Sequence, residues 1–144
     1  MIKRAVFLSA LALTSFCQEQ RNSAAASRKN SIWAGISISQ PLFEHADLER
    51  LQIYFAVVND ESATVNPNVE SSHLIINGVE PETWPFTIAN GIRTEQFSTL
   101  PVGQSLQFTY ALGQYFRMPG IYTVRWESPQ FKSADLIFRV MPNS

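Results

Sequence analysis

The chain is poor in the residues that carry out chemistry. It has one cysteine and two histidines among 144 residues. Cys17 lies at the edge of an N-terminal segment, so a domain that starts beyond it has no thiol. That excludes a disulfide framework, a cysteine-containing zinc site and a cysteine nucleophile from the body of the protein. The fold must then be held by its core alone. Charge is scarce too: Asp, Glu, Lys and Arg make up 16% of the chain, and the formal net charge is −1. No basic cluster is present, so nucleic acid is not a favoured partner. No acidic run is long enough to suggest a charge-driven one. No apolar run reaches the roughly 20 residues a helix needs to cross a bilayer core. A Gly-x-Ser-x-Gly elbow and a phosphate-cradling glycine loop are both missing. No repeat of solenoid or propeller length is found.

What is present is apolar and aromatic. Ten Phe, four Tyr and three Trp give a folded rather than a disordered composition. One domain is expected for this length.

The N-terminus has the layout of a secretory signal peptide. Lys3 and Arg4 supply a positive start, and Ala5 to Phe16 an apolar run broken only by Ser9, Thr14 and Ser15. The alternative is a buried N-terminal helix of a cytosolic domain. Two ends of the signal are open. Ala24-Ala25-Ala26 fits the small-x-small rule of ordinary signal peptidase. Leu13-Thr14-Ser15-Phe16-Cys17 resembles a bacterial lipobox, in which Cys17 would carry the lipid. The lipobox pattern wants a small residue where Phe16 stands and a leucine-like one where Thr14 stands. Cleavage after residue 26 removes Lys3, Arg4, Arg21 and Glu19, taking the net charge to −3. About 115 residues then remain, enough for one ordinary core. Residues 27–30 continue a polar stretch and read as a tether.

The body alternates with period two, the mark of strands with one apolar face. Ile32, Ala34, Ile36 and Ile38 alternate with Trp33, Gly35, Ser37 and Ser39, and Gln40-Pro41 ends the run. Leu51, Ile53, Phe55 and Val57 make the clearest strand, closed by Asn59-Asp60-Glu61-Ser62. His73-Leu74-Ile75-Ile76 runs into Asn77-Gly78, a dipeptide that tolerates positive φ at both positions and so favours a tight hairpin. Later sets are Leu106, Phe108, Tyr110 and Leu112, then Tyr122, Val124 and Trp126, then Leu136, Phe138 and Val140. Helical patterning is weak: 43–51 could form a turn or two and 112–116 another. Short strands with Gly, Pro and Asn punctuation predict a sandwich, with a small closed barrel as the alternative.

Pro119-Gly120-Ile121-Tyr122-Thr123-Val124 resembles the tyrosine corner of an immunoglobulin-like domain. The resemblance implies that the Tyr122 hydroxyl bonds to upstream backbone, that Gly120 makes the turn, and that Val124 fills a core position. Met118 stands where antibody domains often have Asp. Leu100-Pro101-x-Gly103-x-Ser105-Leu106-x-Phe108 resembles the strand start of many bacterial immunoglobulin-like and fibronectin-like modules. Together the two motifs also resemble the BsuPI-type proteinase-inhibitor family, which implies inhibition by a rigid loop. The resemblance spans residues 51–140 and consists of short motifs.

Few residues offer a catalytic or metal site. His45 lies in Glu44-His45-Ala46-Asp47 with Glu49 beyond, so His45, Asp47 and Glu49 are candidate metal ligands. Ligands this close on one loop rarely converge, and a solvated connector is the plainer account. His73 opens a strand and suits a surface position. Asn59, Asp60 and Glu61 could bind calcium at a turn, or simply make a hairpin. Ser105 looks like a strand start rather than a nucleophile, and no Ser-His-Asp arrangement is visible. Aromatics outside the core pattern are the better lead. Trp33 faces away from the isoleucines of its strand, Trp84-Pro85-Phe86 lies in a loop-like stretch, and Tyr115-Phe116 lies in a connector. Such residues give contact area at low entropic cost, although Trp84 and Phe86 could instead cap the core. Trp126 is expected inside it.

The expected fold is all-β, an antiparallel immunoglobulin-like sandwich of about seven strands over 31–142. It stands behind a signal and processing region at 1–26 and the tether at 27–30. The expected function is that of an exported, non-catalytic binding or interaction module, periplasmic or extracellular. A protein is the expected partner, with contact through Trp33, Trp84, Phe86, Tyr115 and Phe116. No cofactor is expected, and the membrane is touched only through a lipid on Cys17. The alternatives are a BsuPI-like proteinase inhibitor and a small exported hydrolase or metal-binding protein using His45 or His73.

Overall fold

Residues 32–91 and 93–143 are described by a computed structural model. The segments expected to be a signal region and a tether, and Cys17 with them, lie outside the described residues. The alternating segments form two sheets. In one, β1 (Ile32–Ile38), β3 (Gln52–Asn59) and β5 (Ser105–Ala111) pair antiparallel in the order β1-β3-β5. The other contains β2 (Leu42–Glu44), β4 (His73–Ile76), β6 (Gly120–Ser128), β7 (Phe131–Lys132) and β8 (Leu136–Met141). Its order is β2-β8-β6-β4, with β7 also on β6. The apolar faces of the two sheets meet in one core, which is an all-β sandwich.

Two strands were not legible. The short β7 closes on β6 through the turn at Pro129-Gln130. The other, β2, lies parallel to β8 and is the one parallel pair among the described strands. Pro41 explains its place. It ends β1, and its carbonyl accepts the Arg139 N–H at 3.0 Å, so the chain crosses to the edge of the other sheet. The two expected short helical stretches are 3-10 turns, His45–Arg50 and Gly113–Tyr115.

A correction is needed at 84–90. The stretch read as a loop is a helix, α1 (Trp84–Asn90). Pro85 sits in its first turn, where a missing N–H costs no helical hydrogen bond. Trp84 and Ile88, four residues apart, are both buried and tie the helix to the core.

The expected turn at Asn77-Gly78 is present. Their φ values are 50° and 86°, and Ile76 bridges Val79 across the turn. The returning arm is that one bridging residue. Tyr122 likewise sits as the tyrosine-corner motif implies. Its hydroxyl donates to the Met118 carbonyl, and its ring packs on Phe116 and Phe138 at 5.0 and 5.7 Å. Gly120 has φ 149°, a conformation that side chains disfavour, and Val124 is fully buried.

Aromatic rings fill the core in two groups. Phe55 lies 5.0 Å from both Phe108 and Trp126 and 5.8 Å from Trp84. Phe116 bridges Tyr122 and Phe138 in the second group, and Phe43 joins it through Phe138 at 6.2 Å. Each large side chain buried contributes about 1.5–3 kcal/mol of transfer free energy. Two buried polar residues make this packing possible. Ser72 accepts the Trp84 indole N–H on its carbonyl and the Trp126 indole N–H on its hydroxyl, both at 2.9 Å. The same hydroxyl donates to the Val69 carbonyl at 2.6 Å. Asn59 is fully buried. Its amide donates to the carbonyls of Ala63 and Leu100, and its oxygen accepts the Glu61 N–H. The 59–62 segment is thus a turn organised by Asn59 from within.

Candidate functional site

The sandwich has one end built from short turns rather than strands. There Gly113 rests on the Leu48 carbonyl so closely that a side chain at 113 would collide with that backbone. This contact docks the Gly113–Tyr115 turn on the His45–Arg50 turn. Between them opens a cleft of about 420 Å³. Leu48 and Ala111 supply apolar wall, while His45, Glu49, Gln114 and Arg117 supply polar groups. His45, Glu49 and Arg117 make no ion pair among the described residues. An imidazole, a carboxylate, an amide and a guanidinium therefore face one space with their hydrogen-bonding capacity free for a bound group.

The same end carries two of the candidate aromatics. The Tyr115 hydroxyl lies 2.9 Å from the Thr83 hydroxyl and 3.2 Å from that of Thr87. The two threonines fix the ring against α1. On that helix Phe86 is 68% exposed. Tyr115 follows Gln114, so the cleft and the aromatic edge of α1 adjoin through one turn.

The other three aromatics are placed differently. Trp84 and Phe116 are 0% exposed, which corrects their assignment as surface contacts. Trp84 turns inward because α1 is a helix with one buried face, and Phe116 because the preceding turn reverses the chain onto Tyr122 and Phe138. Trp33 is half-buried on the outer face of the three-stranded sheet, opposite Val58 in register. It is remote in the topology from the turn-built end.

The remaining candidates are dispersed. His73 opens β4, on the face opposite the core, with its Nδ1 2.7 Å from a Glu80 carboxylate oxygen. His45 lines the cleft instead. No group of three or more His, Cys, Asp or Glu suited to holding a metal occurs among the described residues. Ser105 starts β5, as its sequence position suggested. A second depression of about 330 Å³ is lined by Asn66, Asn68, Glu70, Ser71, Phe97 and Ser98. Glu70 there is paired with Arg93. Burial raises the Tyr110 hydroxyl pKa above its ordinary value, with Arg93 acting in the opposite sense.

The cleft was missed in the sequence because its walls come from segments more than sixty residues apart. Only the steric demand at Gly113 could have hinted at it, and Gly113-Gln114 has no motif around it. Among the described residues, no helix is long and apolar enough to cross a membrane. No protein-family model matches the chain, and no curated protein matches it.

Proposed function

We propose that the protein is an exported, non-catalytic interaction module with an immunoglobulin-like sandwich, and that it binds a protein partner through its turn-built end. One observation carries this reading. The exposed Phe86 lies on the helix whose Thr87, with Thr83 just ahead of it, holds the Tyr115 hydroxyl, and Tyr115 follows Gln114 of a cleft in which His45, Glu49 and Arg117 make no ion pair among the described residues. Aromatic residues and Arg are enriched where proteins bind one another. A side chain already held in place loses little entropy on binding. The N-terminal pattern supports a periplasmic or extracellular location. Whether the chain is free or lipid-anchored turns on Cys17, and the mass of the mature N-terminus distinguishes the two.

The test is affinity capture from an envelope extract, with wild type beside Phe86→Ser and Arg117→Glu variants that keep the wild-type circular dichroism. One specific protein retained by wild type and lost from both variants is the expected result. Equal retention by all three chains contradicts the proposed contact end. Inhibition of a test protease by the chain would replace this reading with the BsuPI-like one. An activity removed by His45→Ala would replace it with catalysis.

A further inference from the structure

The outer face of the five-stranded sheet departs from the expected alternation. Outward positions of a sandwich strand are ordinarily polar. Here Leu42, Ile121 and Ile137 point outward at 48%, 60% and 61% exposure. Register gathers them. Leu42 on β2 and Ile121 on β6 flank Arg139 of β8 in one cross-strand row. Ile137 and the half-buried Met141 stand two residues to either side of Arg139 along β8. Glu44 is opposite Met141 in the next row. Among the described residues neither Arg139 nor Glu44 makes an ion pair. The far part of the same face is different: Arg125 pairs with Glu127 at 3.0 Å and reaches Asp135 at 4.0 Å.

An apolar patch holding one free cation and one free anion, set off diagonally, is self-complementary. A two-fold axis in the plane of contact, crossing the Arg139–Glu44 diagonal at its midpoint and perpendicular to it, lays Arg139 of one copy over Glu44 of the other, and the reverse. The apolar side chains then close around both pairs. An isologous contact requires this pairing of unlike groups on one surface, and charge complementarity fixes its register. We propose that this face is the contact surface of a symmetric homodimer, with a second copy of the chain as its occupant. The proposal rests on the outer sheet face alone and not on the reading of the turn-built end, although Glu44 directly precedes His45 of the cleft.

Sedimentation equilibrium on the purified chain, up to about 100 µM, tests it at a hundredfold excess over a micromolar dissociation constant. A monomer–dimer equilibrium is expected for wild type and for a Gln107→Lys control on the other sheet. Ile121→Lys and Arg139→Glu, both exposed and therefore compatible with folding, should each weaken association about tenfold or more. Arg139→Glu combined with Glu44→Arg should restore it to within about threefold of wild type. Wild type that stays monomeric throughout overturns the proposal. So does a dimer indifferent to Ile121→Lys, or a double variant as weak as Arg139→Glu alone.

Discussion

Ser72 shows how much rests on one small side chain. Its carbonyl and hydroxyl take the indole N–H groups of the two fully buried tryptophans. A satisfied hydrogen bond adds only about 1 kcal/mol net, but an orphaned buried donor costs about 1–3 kcal/mol. Ser72→Ala leaves the Trp126 N–H without an acceptor, while the Trp84 bond to backbone survives. The expected loss is therefore about 1–3 kcal/mol, read as a lower urea midpoint at unchanged m-value. A loss below about 0.5 kcal/mol would mean that water or a side-chain shift replaces the serine. Neither Ser72 nor Asn59 was singled out from sequence as a buried hub. A serine between Ser71 and His73, and an asparagine ahead of two acids, look like solvated turn residues. Only the third dimension shows their partners.

Elements were legible in proportion to their length and to the purity of their pattern. The strands with three or four alternating apolar residues, β1, β3, β5, β6 and β8, lie where alternation placed them. In β2 and β7, at three and two residues, no period can be seen. Trp84-Pro85-Phe86 reads as a loop because proline punctuates turns, whereas a first helical turn also accepts it. Trp84 and Ile88, four apart, were the available helical signal. The candidate site was less legible than the fold, since the turns at 45–50 and 113–115 meet only in space. Gly113 governs that junction. Gly113→Ala drives a methyl into the Leu48 carbonyl, so the turns must separate. The expected cost is about 1–3 kcal/mol, with amide exchange quickened at 45–51 and 112–116 and little changed in β3 and β6. Unaltered exchange in both turns would show that the junction yields without strain.

At the scale of the whole molecule, two sheets enclose aromatic rings held by van der Waals packing, and Ser72 and Asn59 satisfy the polar groups buried beside those rings. Such a scaffold is stiff, so its ends and outer faces can present side chains in fixed positions. The turn-built end presents Phe86, Tyr115 and the cleft, and the outer sheet face presents the patch around Arg139. Site-specific photocrosslinking in the producing cells tests the central claim most directly. A photoreactive residue would replace Phe86, Gln114 or, as a control, the exposed Gln107. The account predicts one discrete heterologous adduct shared by positions 86 and 114 and absent at 107. Adducts of equal yield at all three positions, or none at 86 and 114, would contradict it.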